Sequence, residues 1–350
     1  MWMNELCEGE NMNKEFLYAL LDNMFVSGNE IPLQKKVIEE MTPYCDEIRT
    51  DYTGNVVSVL NPDADFKVML CGHIDEIGLV VSHILESGLI KVMKAGGIYP
   101  RTYPGHQVVV HGYGQTVYGT VVNSEDMGKE KLKDSDLIID IGAKDKEDAR
   151  RYVQEGDPVH LHTYHQEMLN GYLSARAIDD RGGAFIVLEA LKRAKEKGCK
   201  IGVYSVTTVG EETSLRGAHW AANRVKPDVA IIVDVTYATD YPGTNPEESG
   251  DVKLGNGPVI CNSSIANKKV NELLKVCAKE KNIPYQMETF IGRTHTDADQ
   301  VHFAGEGFVT ALLSLPLRYM HSPSEVCHMD DIENTIELLA EFLCKVDEKT

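Results

Sequence analysis

The residues of this chain best suited to chemistry fall in five short clusters, each beside an apolar run. The first is Cys71, Gly72, His73, Ile74 and Asp75. His73 offers one ring nitrogen to a metal. Asp75, two residues on and so on the same face of extended chain, accepts the other N–H and orients the ring. The second holds Asp179 and Asp180 just before Arg181, Gly182 and Gly183. Asp180 suits an N-cap, whose side-chain oxygen satisfies free N–H groups of a first helical turn. A second, adjacent carboxylate asks for more. Asp179 set between two cations answers that, because metals offset the repulsion that otherwise raises a pKa. The third cluster is Gly210, Glu211 and Glu212, directly after an apolar strand. Side chains alternate on extended backbone, so this pair gives one ligand and one free base only where the chain turns, as Gly210 permits. Fourth, Asp234 is a charge embedded in the apolar run from Ala230 to Val235. A lone buried carboxylate must be paired, protonated or bound to metal. Fifth, His321 lies just beyond the strand from Phe308 to Leu315.

Taken singly, each cluster has a plain structural use: a hydrogen-bonded His–Asp pair, a helix cap, a solvated acidic loop, a satisfied loop histidine. Taken together, two histidines and three carboxylates with a spare glutamate match the N/O donor set favoured by zinc, cobalt or manganese. The expected chemistry is metal-assisted hydrolysis.

The elements that must position these groups read as an α/β sheet. Helical spacing covers Glu15 to Phe25, Ile31 to Met41 and Gly183 to Lys197, the last with Ile186, Val187, Ala190, Leu191 and Ala194 on one face and Gly198 as its stop. Lys67 to Ile74, Ile201 to Val209, Asp228 to Val235 and Phe308 to Leu315 are near-continuous apolar runs, as strands covered by helices on both faces require. Open α/β sheets bind ligands beyond the carboxyl ends of their strands, which is where the clusters fall. From Leu79 to Tyr172 the texture changes. Short segments at 107–110, 116–122, 137–141 and 159–163 are separated by Gly, Pro and Asp turns with almost no helical period, so residues 79–172 read as an inserted all-β domain. The α/β domain is then discontinuous, 12–78 and 173–350.

With 350 residues the chain is long enough for two domains. The 35 basic and 54 acidic residues give a net charge of −19, which disfavours nucleic acid and anionic membrane as partners. Eight cysteines are spread without a paired framework and read as free thiols. The first 13 residues lack a signal-peptide pattern, and no apolar run approaches membrane-spanning length, so the cytoplasm is the expected compartment.

In this order, and from about Met12 to the C-terminus, the clusters resemble the tetrahedral aminopeptidases, which include glutamyl and deblocking aminopeptidases and some members labelled endoglucanases; residues 1–11 are then an N-terminal extension beyond the family's usual start. The resemblance extends to Ser27 through Glu30, Asp51 through Asn55, Thr296 through Ala298, and Arg318 through Pro323. It implies a metal-dependent aminopeptidase with a three-layer α/β/α catalytic domain and a β-rich dimerisation domain. It further implies two divalent ions per subunit, zinc or cobalt first and manganese next. His73 and Asp234 would hold one, Glu212 and His321 the other, and Asp179 would bridge. Glu211 falls on the general base, Asp75 beside it in the catalytic set, and a non-proline cis bond is expected between Asp179 and Asp180. The implied partners are short peptides with a free N-terminus and copies of the same chain, dimers assembling into a tetrahedral dodecamer. Arg293 and His295 stand where Ser and Gly are commoner in the family, which makes them candidate substrate residues, with Arg293 suited to an acidic N-terminal side chain. Other readings are a different two-metal hydrolase of the same fold, whether deacylase, carboxypeptidase or glucanase, and a catalytically silent assembly subunit.

Overall fold

The computed structural model describes residues 12–124 and 132–347. The 1–11 extension, and Cys7 within it, lie outside the described residues. An eight-stranded sheet forms the centre of the molecule. Its order across is Glu47–Thr50, Val56–Leu60, Gly202–Thr208, Lys67–His73, Val229–Tyr237, Val309–Leu317, Val259–Asn262 and Gln286–Thr289. The four central strands are parallel, with Thr208 level with His73 and Asp234 level with Ser314.

Period-two alternation sorts the strand residues onto the two faces. Val68, Leu70, Val203, Ile231, Val233, Ala311 and Leu313 pack under the long helix Ile178–Glu196 with the helices Lys14–Leu21, Ile31–Met41, Lys268–Lys281 and Met329–Lys345. Met69, Cys71, Tyr204, Val206, Ile232 and Leu312 pack under Arg216–Val225 and Ala298–Phe303. Both faces are therefore dry, which is why these strands are apolar throughout rather than alternating.

The expected helix over 15–25 stops at Leu21. The carbonyls of Leu20 and Phe25 accept the buried Arg181 guanidinium at 3.0 Å each, and those of Leu21 and Asn23 accept Arg176 at 2.9 and 2.8 Å. A chain that turns four carbonyls toward two guanidinia cannot keep all of them in a helical ladder. The helix expected from Gly183 is assigned from Ile178. Asp179 and Asp180 within it are non-helical, and a cis peptide joins them.

Between Gly78 and Leu161, six strands close into a barrel, in the order Gly78–Ile84, Ile90–Ala95, Ile138–Asp140, Gln115–Val121, Gln107–Gly112 and Pro158–Leu161. Leu79, Ile90, Val92, Val108, Val110 and Val159 fill its interior. Closure removes the open edges that short strands would otherwise expose. A three-stranded sheet, Gln166–Glu167, Tyr172–Ala175 and Glu325–His328, lies beside the crossing back into the larger sheet. Among the described residues, the seven cysteines are free, and no helix is long and apolar enough to cross a membrane.

Candidate metal centre

His73 ends its strand on the same face as Met69 and Cys71, and Asp234, Ser314 and Leu312 share that face on the neighbouring strands. At this carboxyl edge the five clusters converge. His73 Nε2 stands 3.2 Å from Asp179 Oδ1, and His321 Nε2 stands 3.1 Å from Asp179 Oδ2, so each oxygen of one carboxylate faces a different imidazole. Glu211 lies 3.8 Å from His73 Nε2, and Glu212 lies 3.8 Å from His321 Nε2. Three triads have ligand atoms within 4.8 Å of one another: His73, Asp180 and Asp234; His73, Glu211 and Glu212; Asp179, Glu212 and His321.

The supporting contacts separate the adjacent carboxylates. Both oxygens of Asp180 are occupied, one by the His73 N–H at 3.0 Å and the other by the Gly183 N–H at 3.1 Å. Asp180 thus ties the strand end to the first helical turn and caps that turn, as its sequence position suggests. Asp75 keeps its Oδ1 3.5 Å from His73 Nδ1, whose nearer contact is the Asp75 carbonyl at 3.2 Å. The same carboxylate accepts the backbone N–H groups of Glu211 and Glu212 at 3.1 and 3.2 Å. Gly210 is left-handed at φ +67°, where a Cβ would strike the Arg216 guanidinium at 1.9 Å. The turn expected there is formed, and the two glutamates leave it toward different imidazoles. His321 Nδ1 contacts the Gly97 carbonyl at 2.9 Å, which leaves Nε2 for the centre. Gly97 is needed for this approach, since its Cβ would lie 2.9 Å from the imidazole.

Glu325 stands at the site, and reading the sequence missed it. It is buried and accepts the backbone N–H of Asp179 at 3.1 Å and of His321 at 2.8 Å, fixing both chain segments at once. Asp297, Glu30 and Asn55 belong with it. Asp297 accepts Thr208 at 2.6 Å, Glu30 accepts the Gly210 N–H at 3.1 Å, and Asn55 accepts the Val209 N–H at 3.1 Å. Their short motifs were visible in the chain, but their acceptor roles depend on partners 89 to 180 residues away.

The electrostatics ask for cations. Burial pushes Glu211 and Glu212 well above the ordinary carboxylate range. Asp234 is pushed up to about 8, by burial first and then by Asp179 against the opposing His73. Burial resists charge on Asp179 too, but His321 and His73 outweigh it and hold that carboxyl low. The two imidazoles are held high in turn, His321 at about 10, by Asp179 and its acidic neighbours against burial. Glu212 Oε1 is buried with no hydrogen-bond partner. A buried N/O donor set with an orphaned carboxylate oxygen and one carboxylate between two imidazoles fits a pair of divalent cations.

The cluster opens into a cavity of about 340 Å³ whose walls also include Tyr237, Glu288, Phe290, His295 and Met320. His295, a candidate substrate residue, lies on this wall. Arg293 is exposed on the same loop and is not among the lining residues.

An α/β/α sandwich with an acid–imidazole cluster at the carboxyl edge of its sheet, and a β-barrel inserted in the chain, defines a hydrolase of the peptidase class. The profile of the M42 glutamyl aminopeptidases matches residues 54–338, so the chain belongs to that family and is a peptidase. It is 32% identical to the lysyl aminopeptidase of Pyrococcus furiosus over 346 residues, covering 94% of this chain and 96% of that protein. The TET aminopeptidase of a marine-sediment Thaumarchaeota archaeon superposes with a TM-score of 0.90 at 31% identity, over 96% of this chain and 97% of the other. The TET1 peptidase of Pyrococcus horikoshii, described as assembling into a tetrahedron or a large octahedral shell, superposes at 0.84 with 28% identity over 95% and 99%.

Proposed function

We propose that this protein is a two-metal aminopeptidase that removes the N-terminal residue from short peptides. The observation that carries the reading is the Asp179 carboxylate, one oxygen 3.2 Å from His73 and the other 3.1 Å from His321. In this reading His73 and Asp234 would hold one cation and Glu212 and His321 the other, with Asp179 contributing to both. Zinc or cobalt suits the donors best, with manganese possible as a substitute.

Two divalent cations bound there would supply Lewis acidity for the scissile carbonyl and lower the pKa of a water. Glu211, held beside the centre by the Asp75 carboxylate on its backbone N–H, takes the proton of the attacking water and delivers it to the departing amine. Asp75 is a positioning residue, since it aims His73 and fixes the turn that separates Glu211 from Glu212. Residues 79–172 are the proposed dimerisation domain, 12–78 with 173–350 the catalytic one, and the proposed assembly is a tetrahedral dodecamer built from dimers. The free thiols among the described residues are consistent with a cytoplasmic protein.

Glu211→Gln keeps the shape and removes the base. Metal content by mass spectrometry is expected to match the wild type, while kcat falls by a factor of roughly 10²–10⁴. Turnover near the wild-type rate would contradict the assignment of the base.

A further inference from the structure

We infer that Glu288 selects peptides beginning with lysine or arginine. The inference rests on the aminopeptidase reading of the same cavity and adds the substrate class to it. Glu288 lies on the outermost strand of the sheet, opposite Cys261, and is only 3% exposed, yet its side chain lines the cavity. Thr236 Oγ1 donates to its Oε2 at 2.5 Å and Ser314 Oγ to its Oε1 at 3.2 Å. These hydroxyls orient the carboxylate without neutralising it, and among the described residues no cation is paired with it. A buried carboxylate without a counter-ion is costly unless something else supplies the charge.

The geometry names the supplier. Ser314 is level with Asp234 on the adjacent strand, one strand interval of roughly 4.8 Å away. The Glu288 carboxylate touches Ser314 and Thr236, so it lines the same cavity as the metal cluster and sits beside the strands that carry Asp234 and its level partner. An aminopeptidase accommodates a single residue on the amine side of the bond it cuts, so a pocket walled off next to the cluster takes that residue's side chain. Val235, Leu312 and Met320 give the cavity an apolar lining that suits the methylene stem of lysine or arginine, with its charged head at Glu288. Apart from the imidazoles His73, His295 and His321, no basic side chain lines the cavity. The acidic preference expected from Arg293 has no contact in the cavity to carry it.

A panel of aminoacyl p-nitroanilides with Lys, Arg, Leu and Glu tests this on the metal-loaded, full-length enzyme, alone and as Glu288→Gln and Glu288→Asp. The wild type is expected to show kcat/KM for Lys and Arg roughly a hundredfold or more above Glu. Glu288→Gln is expected to lower the Lys-to-Leu ratio at least about tenfold, with Glu288→Asp retaining more of that ratio because it keeps the charge. The wild-type comparison depends on no variant, so a folding defect in either substitution leaves the test intact. Cleavage of Glu substrates as fast as Lys, or a Lys-to-Leu ratio unmoved by Glu288→Gln in a folded variant, overturns the preference alone. Failure to cleave any of the four overturns the aminopeptidase reading and the preference with it.

Discussion

Glu211 and Glu212 are chain neighbours that end up facing different imidazoles, and the cause is a set of acceptors rather than the pair itself. Gly210 supplies the left-handed turn, Glu30 accepts its N–H, and Asp75 accepts the N–H groups of both glutamates. Asp75→Asn keeps the size of the side chain but weakens these charge-assisted bonds and its hold on His73. Metal affinity or activity is expected to fall by a factor of about 10–100, the usual effect of losing a partner behind a ligand. Isothermal titration of the demetallated variant with zinc checks it, and affinity equal to the wild type would contradict the role. That the two glutamates part at a turn was legible because a glycine, a doublet and a preceding apolar strand are all local. Glu325 was not legible. Its two N–H partners are a backbone amide four residues away and another 146 residues away, and a lone Glu opening a short strand carries no mark of either. For Arg293 the charge is visible in the sequence, while its placement, exposed and outside the cavity lining, is not.

At the scale of elements, the strands and the long central helix were legible because burial on both faces leaves unbroken apolar runs. Helix ends were less so. The first helix yields its last turn to two buried guanidinia that arrive from residues 176 and 181. The loop carrying His321 is held in a similar way from outside. Arg318 makes a forked contact with Asp240 at 2.7 and 2.6 Å, and its guanidinium lies over the Tyr172 ring at 5.3 Å. Burial pushes the Asp240 carboxyl up, but Arg318 outweighs it and holds the group below its ordinary value. A carboxyl lowered on folding stabilises the fold above its unfolded pKa of about 4, and that contribution is lost as pH falls through the folded value. Asp240→Asn is therefore expected to lower the unfolding temperature at pH 7, with the gap from wild type closing below about pH 4. Thermal unfolding of both proteins across that range checks it, and a gap independent of pH would contradict the ion pair as its source.

For the whole molecule, the change of texture after Leu79 separated a β-rich insert from the α/β sheet, because turn residues every few positions leave room, among the described residues, only for single helical turns such as Lys146–Ala149. Closure into a barrel was not legible, since it depends on Gly78–Ile84 meeting Pro158–Leu161 across most of the insert. The proposed role of this barrel is to join two copies of the chain. Light scattering on the purified protein is expected to give the mass of a dodecamer, with dimers as the building block, and a monomer at micromolar concentration would contradict it. A particle of that kind does not alter the chemistry of one centre, so the central claim is tested within a single subunit. The most direct measurement is anomalous scattering from crystals of the metal-loaded protein. Two peaks per chain are expected, one beside His73 and Asp234 and one beside Glu212 and His321, with Asp179 between them and Glu211 outside both coordination shells. A single peak, no peak, or a Glu211 that binds metal while Glu212 stands free would contradict the two-metal account.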